Sequence, residues 1–440
     1  MKDKGCNFPF SPARWPFFYG WTVLVFGALG ILMSVPGQTM GVSAFTDHLL
    51  VALPLTRVQL STAYMLGTIA SALILTPAGK VYDRFGARIV APSTAIALGI
   101  VLMGLSRADD TARGISHLLT GASPTFVAFS VMVGGFFLLR FFGQGVLTMV
   151  SRNMVMKWFD RRRGLANGLT GVVVAMGFSG APLALDSLIR KFRWDGAWLA
   201  LGLFIACVFS VVAFVFFRDN PEQCGLLPDG APGTAEDRVS AHRQFTLPEA
   251  RRTYVFWIFC LSLAMFALYV TAFTFHIVSL FKSAGMERRE ALGIFLPVSI
   301  LAVSVHLTAG WLSDRIPLKV LLITMLAALT LSMAAVAGLA PGLTVGLLIV
   351  GNGVGGGLFG LLSAITWPTF FGREHLGAVA GLSLAVAVFH SAIGPWVFSQ
   401  SFALTGSYRG AAMACVAITV LLLIGAFKAD NPQHAPRRSP

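Results

Sequence analysis

The chain has 440 residues, of which 56% are hydrophobic and only 12% are charged. Soluble domains carry about 25% charged residues, so this composition excludes an ordinary soluble globular protein. The formal net charge of +14 could suit nucleic acid, but the basic residues lie in short gaps between apolar runs. Nucleic-acid binders group them on exposed faces instead, so we expect no nucleic-acid partner.

Long apolar runs recur along the whole chain. A bilayer core about 30 Å thick is crossed by roughly 20 apolar helical residues, and backbone groups in lipid are satisfied within a helix. The sequence therefore predicts an all-α membrane protein with twelve transmembrane helices. The predicted spans, numbered in chain order, are residues 17–40, 58–78, 89–106, 126–151, 164–189, 197–217, 253–281, 291–312, 320–339, 343–371, 376–403 and 410–427.

A polar segment rich in Pro, Gly and charge divides these spans six and six. An even number of spans places both termini on one side, whose loops hold 22 Lys and Arg residues against ten opposite. By the positive-inside rule both termini are cytoplasmic, in a multi-pass protein of the cell (inner) membrane. The predicted parts are a tail at 1–16, a six-helix bundle at 17–217, a cytoplasmic linker at 218–252, a second six-helix bundle at 253–427, and a tail at 428–440.

The two halves share three short patterns in the same order. Internal symmetry of this kind is typical of transporter folds, so we expect two pseudo-symmetric bundles. The paired segments are Gly-x3-Asp-Arg-x3-basic at 79–88 and 310–319, WFDRRRGLANG at 158–168 with FFGREHLGAVAG at 370–381, and FRDNPE at 217–222 with FKADNP at 427–432.

The first pattern, in both copies, resembles the cytoplasmic signature of the major facilitator superfamily. The segment RFFGQG that begins at Arg140 resembles the fourth-helix motif of that superfamily. FYGW at 18–21 and KWFDRRRGLANG at 157–168 are similar to its monocarboxylate transporter and oxalate/formate antiporter branch. The resemblance implies the major facilitator fold and transport by alternating access. Since no nucleophile–base pair, phosphate loop or metal cluster stands out, we expect no enzyme, cofactor or metal site.

Charged side chains after the second and eighth spans are candidates for a conformational latch. Contacts at helix ends can form in one state and break in the other. By the resemblance, Asp83 and Arg88 belong to a lock that favours the outward-open state. The alternative is that these residues only fix topology. The predicted latch residues are Gly79, Asp83, Arg84, Arg88, Asp314 and Arg315.

Arg140 lies near the middle of the fourth span, where a cation costs from about 3 to 10 or more kcal/mol unless it faces a wet cavity or a partner. We interpret it as a group that binds an anionic substrate or influences the protonation of a neighbour; the alternative is a structural arginine bound to backbone carbonyls of adjacent helices. Pro36 and Gln38 make the first span poorly helical, which would unwind it toward substrate or merely kink it. Asn352 occupies the equivalent stretch of the tenth span and completes the polar candidates.

Three histidines, His276, His306 and His390, lie within spans. Imidazole changes charge near neutral pH and can accept a transported proton. His276 and His390 are predicted to bind substrate and proton, because the seventh and eleventh helices line the cavity in this superfamily; the alternative is packing. Carriers of this branch commonly have a cation in the middle of the eighth span, where this chain offers only His306.

The sequence predicts a secondary active transporter that moves a small organic anion, a mono- or dicarboxylate, by proton symport or anion exchange. The alternative is an exporter of amphipathic or drug-like compounds, which an aromatic-rich interior with 36 Phe and 9 Trp would suit. A third interpretation is a non-transporting receptor or scaffold, expected to carry an extra soluble domain. The expected partners are the small-molecule substrate, protons in the case of symport, and the lipid bilayer, with the protein a monomer.

Overall fold

The computed structural model describes residues 7–118, 121, 123–230 and 243–434. All regular secondary structure in these ranges is helical. The chain forms two compact units. Unit 1 comprises the described residues of Met1–Trp158, Val173–Asp237 and Ala380–Ala385, and unit 2 those of Phe159–Val172, Arg238–Val379 and Val386–Pro440. The bundle boundaries at 17–217 and 253–427 remain a prediction.

The helices follow the predicted spans in order, and three short helices, Ala108–Leu118, Leu247–Ala250 and Arg288–Gly293, lie between spans. The helices of the spans are Gly20–Met33, Thr39–Ser43 and Thr46–Ala52 (first), Arg57–Leu73 and Leu75–Phe85 (second), Ala87–Leu105 (third), Pro124–Leu139 and Thr148–Trp158 (fourth), Arg163–Leu203 and Ser210–Phe216 (fifth and sixth), Tyr254–Ser283 (seventh), Phe295–Ser313 (eighth), Leu318–Ala337 (ninth), Leu343–Phe371 (tenth), Leu376–Thr405 (eleventh) and Arg409–Ala426 (twelfth).

Within the described residues, nine helices are long and apolar enough to cross a membrane, and a pair in the second span, bent by 46°, gives a tenth crossing. One of the nine, Arg163–Phe216, has 54 residues. At 1.5 Å per residue it would be about 80 Å long, far more than one crossing needs. Arg193, with φ of 62°, divides it, so it supplies two spans. With the shorter Gly20–Met33, the crossings number twelve, as predicted.

Two local features end or join the helices of the fourth and tenth spans. Gly372 has φ of 85°, a conformation that a side chain disfavours, and it ends the tenth span. In the fourth span, Arg140–Leu147 is a π-helical segment between two α-helices. Such segments are rare and are frequently found at functional sites; a second one, Phe204–Phe209, lies in the sixth span, so the π-helical segment alone assigns no role to the residue that begins it.

The spans are apolar on all sides, which is the pattern expected of helices that meet both protein and lipid. In the seventh span, Phe266 and Phe273 are buried in the core of unit 2, whereas Phe275 is 66% exposed. In water such exposed aromatic surface would be costly. In a bilayer it faces hydrocarbon, so the exposed side chains are consistent with a membrane protein.

Candidate functional site

Arg140 is buried in unit 1, with 3% of its surface exposed. Its Nη1 donates to the carbonyl oxygen of Gly37 at 3.1 Å and lies 3.5 Å from Oγ1 of Thr39. The guanidinium carbon is 5.1 Å from the ring centre of Tyr64, whose hydroxyl donates to Thr39 Oγ1 at 2.9 Å. The buried Nε has no partner among the described residues. The guanidinium thus keeps donors that the protein does not use.

No carboxylate pairs with Arg140 in the part of the chain that the structure describes. Its contacts are instead a carbonyl dipole, a hydroxyl and the negative face of an aromatic ring. These groups stabilise a cation without neutralising it. Because a buried charge without a counterion is costly, a small anion placed beside this guanidinium would offset part of that cost, and the planar group matches the geometry of a carboxylate.

The first span is broken beside Arg140, an arrangement that both interpretations of its sequence allow. The helix ends at Met33, Val35–Gly37 forms a 3-10 turn, and Gln38 is extended with ψ of 158°. This break frees the Gly37 carbonyl from helical hydrogen bonding, so it can accept from Arg140. The sequence did not indicate Tyr64 as a neighbour, although it is the sole tyrosine of the predicted second span.

Gly37 and Gly143 bring the broken first span and the π-helical segment of the fourth span into backbone contact. A Cβ at Gly143 would lie 2.8 Å from the Cα of Gly37, and a Cβ at Gly37 would lie 2.6 Å from the Leu139 carbonyl oxygen. Both distances are shorter than real side-chain contacts allow. The close approach places the Gly37 carbonyl within reach of the guanidinium, so these glycines position the site.

We expect Gly143→Ala to lower the thermal stability of the protein by about 1–3 kcal/mol, because its methyl group would meet backbone that has no space to yield. Gly134→Ala is the matched control in the same span, since nothing lies within 4 Å of that Cβ position. The thermal unfolding midpoints of both variants measure the effect. Equal midpoints would show that the backbone contact is not needed.

Gln38 lies next to this site in a cluster of hydroxyl groups. Its Nε2 donates to Ser34 Oγ at 3.0 Å and to Thr148 Oγ1 at 3.2 Å. Thr148 Oγ1 also donates to Ser34 Oγ at 3.0 Å. The structure therefore brings two predicted site residues, Arg140 and Gln38, to the break in the first span. Arg140 binds the Gly37 carbonyl there, and Gln38 binds the adjacent cluster of hydroxyl groups.

The other predicted binding residues lie in separate places in unit 2. His276 Nε2 is 3.0 Å from the Pro395 carbonyl oxygen, and its Nδ1 is 3.5 Å from the Tyr408 hydroxyl. His390 Nδ1 is 2.8 Å from the Val386 carbonyl oxygen of its own helix. These two histidines make no hydrogen bond to each other among the described residues, and the role predicted for each in binding substrate and proton rests on the sequence alone.

Asn352 is 5% exposed and lies in a polar network between helices. Its Nδ2 donates to Ser332 Oγ at 2.8 Å and to the Leu348 carbonyl oxygen at 3.0 Å. The Tyr269 hydroxyl is 2.7 Å from the same serine oxygen. The amide nitrogen is thereby occupied by packing contacts, and only the buried Oδ1 lacks a hydrogen-bond partner in the described part of the chain.

The predicted latch residues of unit 1 make contacts at the end of the second span. Gly79 is buried and Asp83 is half-buried. Arg84 is exposed and packs over the Phe85 ring at 5.3 Å. Arg88 Nε donates to the Phe214 carbonyl oxygen at 3.2 Å, so Arg88 binds the end of the sixth span.

In unit 2, Asp314 accepts hydrogen bonds at the start of the fifth span. Its Oδ1 accepts from the Gly164 backbone N–H at 2.9 Å and its Oδ2 from the Leu165 N–H at 3.3 Å. A carboxylate is favourable at a helix N-terminus. A Cβ at Gly310 would lie only 2.7 Å from the Gly164 carbonyl oxygen, so the two backbones touch. Arg315 instead folds back on its own helix and donates to the Trp311 carbonyl oxygen.

Unit 1 also contains a buried ion pair that sequence reasoning missed, at the start of the third span. Lys157 Nζ is 2.9 Å from Asp219 Oδ2, with side chains 3% and 10% exposed, and it lies over the Tyr82 ring at 4.4 Å. Asp219 Oδ1 also accepts from the Ala87 backbone N–H. Beside it, burial lowers the pKa of Arg218 to about 10, so that guanidinium stays charged at neutral pH.

The internal repeat was the available signal for this pair. Asp219 belongs to FRDNPE and Asp430 to its counterpart FKADNP. In unit 2, Asp430 pairs with Lys319, the last residue of the second signature copy. The carboxylate of each copy thus binds the start of the third or the ninth span. The sequence showed the repeat but not which groups its carboxylates contact.

Comparison with known proteins identifies the family. A model described as the Major Facilitator Superfamily matches residues 21–395. A probable nitrate/nitrite transporter, NarK2 of Mycobacterium tuberculosis, is 25% identical over 322 residues, 72% of this chain and 69% of that protein. The oxalate:formate antiporter of Oxalobacter formigenes is 21% identical over 240 residues, and the uncharacterized MFS-type transporter YhjX of Escherichia coli is 22% identical over 261.

The alignments with the oxalate:formate antiporter and with YhjX cover 54% and 59% of this chain, and the chain spans only 50% of the antiporter and 58% of YhjX. Solved structures agree on the fold over much more of the chain. The proton:xylose symporter XylE, bound to 6-bromo-6-deoxy-D-glucose, gives a TM-score of 0.68 at 14% identity, covering 94% of this chain and 98% of that one.

A bacterial homologue of the iron transporter ferroportin, in an outward-facing state, gives a TM-score of 0.63 at 15% identity, covering 92% of this chain and 98% of that one. At such identities the similarity shows the fold alone. Its twelve-helix fold and a family match over most of its length show that the chain belongs to the Major Facilitator Superfamily, whose members are membrane transporters and not enzymes.

Proposed function

We propose that this transporter carries a small organic anion, a mono- or dicarboxylate, by alternating access. The observation that supports the proposal is the buried guanidinium of Arg140, which has no carboxylate partner among the described residues and is bound to the Gly37 carbonyl at a broken helix. Two relatives, the oxalate:formate antiporter and the probable nitrate/nitrite transporter, are named for small anions, which agrees with this electrostatic argument.

In this proposal the anion binds the unused donors of Arg140, with Thr39 and Gln38 as further polar contacts. Thr39 is exposed and Gln38 is half-buried, so both can be reached more readily than the guanidinium. His276, His390 and Asn352 remain candidates for substrate contacts from unit 2. Transport would proceed by proton symport or by exchange of one anion for another.

We further propose that the helix-end contacts act as the conformational latch. The hydrogen bonds from the Gly164 and Leu165 N–H groups to Asp314 support this role, because they can break without disrupting either helix.

The distribution of Lys and Arg in the loops supports cytoplasmic termini and an inner-membrane location. We expect the carrier to act as a monomer.

Counterflow in proteoliposomes tests the proposed substrate class. Vesicles preloaded with unlabelled oxalate, formate or nitrate are diluted into the same radiolabelled anion, so exchange is detected whatever the coupling ion. We expect saturable uptake of at least one carboxylate, above that of protein-free vesicles. Absence of counterflow for every carboxylate, together with extrusion of amphipathic dyes by the same vesicles, would favour the exporter instead.

A further inference from the structure

His306 lies in unit 2 where the eighth span meets the start of the fifth span and the tenth span. Its imidazole fills space left by glycines of both neighbours. A Cβ at Gly171 would lie 2.1 Å from Nε2, and a Cβ at Gly360 would lie 3.0 Å from Nδ1. An alanine at position 171 would therefore displace the ring. The two glycines make room for this imidazole between the helices.

Both ring nitrogens of His306 face backbone carbonyl oxygens. Nδ1 is 3.0 Å from the Gly357 oxygen and Nε2 is 3.2 Å from the Asn167 oxygen. A neutral imidazole has a single N–H and can donate to one of them, whereas the imidazolium donates to both. The two carbonyl oxygens can therefore accept from both N–H groups of the protonated ring.

Asn167 offers a partner to each protonation state. Its side-chain Nδ2 lies 3.4 Å from His306 Nε2, within reach to donate to an unprotonated nitrogen. Its main-chain oxygen accepts from the same nitrogen when that nitrogen carries a proton. Loss of the proton thus exchanges a bond to the backbone for a longer bond to the side chain.

The charged groups nearby do not explain this arrangement. The tenth span contains no titratable residue, and His306 is the sole one in the eighth span. On the fifth span Arg163 lies one turn before Asn167, and its guanidinium binds Asp160 and the Phe159 carbonyl. Among the described residues no carboxylate pairs with the imidazole. The two carbonyl oxygens are therefore the groups that a second N–H of the ring can reach.

We propose that His306 is a proton-binding site that fastens the start of the fifth span to the eighth and tenth spans. Proton binding favours the packed arrangement in which Gly164 and Gly310 touch, and proton loss loosens it. This inference deepens the proposed function and rests on it for its role in transport, since it names the residue through which a proton would bias the carrier.

The other two membrane histidines differ from His306 in the groups that face their ring nitrogens. His390 faces one carbonyl oxygen, in its own helix. His276 Nε2 faces the Pro395 carbonyl, but its Nδ1 faces the hydroxyl of Tyr408 and not a second carbonyl oxygen. Neither ring, within the described structure, is held between two backbone acceptors of different helices.

Thermal unfolding of purified, substrate-free protein tests the proposal between about pH 5.5 and 8, the range in which imidazole titrates. The bond gained by the protonated ring stabilises the fold at low pH, and this stabilisation is lost as the pH rises. We expect the midpoint of the unchanged protein to fall with rising pH by at least about 2 °C more than that of His306→Gln. His117→Gln, on the helix Ala108–Leu118, is the matched control and should behave like the unchanged protein.

Asn167→Ala provides a second test that a merely structural role would not satisfy. It removes the partner of the neutral ring and leaves the main-chain oxygen that binds the protonated ring. We expect a midpoint close to that of the unchanged protein at low pH and a clear loss at high pH. An equal loss at both pH values, or an unaltered pH dependence in His306→Gln, would overturn the proposal.

These outcomes are independent of the substrate. Failure of the pH tests would leave anion counterflow, and hence the proposed function, untouched. Conversely, absence of counterflow would not change the pH dependence of unfolding. If His306→Gln does not fold, the comparison of Asn167→Ala with the unchanged protein at the two pH values decides the matter alone.

Discussion

Arg140→Gln is expected to weaken substrate binding by about 10- to 100-fold, because it removes the charge-assisted hydrogen bonds that a guanidinium makes to a carboxylate. The glutamine amide can still donate to the Gly37 carbonyl, so the break in the first span should persist. Counterflow rates measured over a range of oxalate or formate concentrations give the apparent affinity. The same vesicles give the maximal rate, which separates binding from turnover.

The stability of this variant distinguishes a binding residue from a structural one. The guanidinium is buried without a carboxylate among the described residues, so its removal relieves a desolvation cost and should leave the substrate-free unfolding midpoint unchanged or higher. Arg140→Lys keeps the charge but loses the planar guanidinium. Its affinity for the anion should lie between that of the unchanged protein and that of Arg140→Gln. A large loss of stability with unchanged affinity would assign Arg140 to packing.

Lys157→Met is expected to destabilise unit 1 by about 3–5 kcal/mol, since it leaves the Asp219 carboxylate buried without its lysine. The pair is among the most buried of the described ion pairs, and a thermal unfolding curve in detergent measures the loss. Arg113→Met is the control. Arg113 pairs with Asp109 and Asp110 on the surface, where such pairs contribute about 0–1 kcal/mol.

Combining Lys157→Met with Asp219→Asn tests whether the two charges act together. The asparagine oxygen can still accept from the Ala87 N–H, so the start of the third span keeps its cap. Because neither charge is then left alone, the double variant should lose less stability than the two single variants added together. Losses that simply add would show that the pair contributes no coupling energy.

Most of the fold could be predicted from hydropathy because lipid makes one strict demand, that each crossing be a long apolar helix. The number and order of the spans follow from that demand. Departures occur where local backbone conformation decides the outcome. The helix Arg163–Leu203 runs through the turn predicted between the fifth and sixth spans, and a single residue, Arg193, redirects it. Nothing in the composition of that turn signals a residue with positive φ.

The site could be predicted only in part. Arg140 is conspicuous because a charge in a span is rare, and Pro36 with Gln38 indicated the break in the first span. The partner of the guanidinium, however, is a backbone oxygen 103 residues away. A carbonyl group is present in every residue, so only packing selects Gly37. Packing alone likewise selects Asn167 and Gly357, whose carbonyl oxygens face the ring nitrogens of His306.

Protection of Thr39→Cys from a thiol reagent is the most direct test of the central claim, that the transported anion binds beside Arg140. Thr39 Oγ1 lies 3.5 Å from the guanidinium, so a bound anion should shield a cysteine there. Mass spectrometry of the labelled peptide gives its rate of modification. We predict slower modification when the anion is present near the concentration that half-saturates the unchanged site, and little slowing at that same concentration in an Arg140→Gln background. Equal slowing in both, or none in either, would contradict the account.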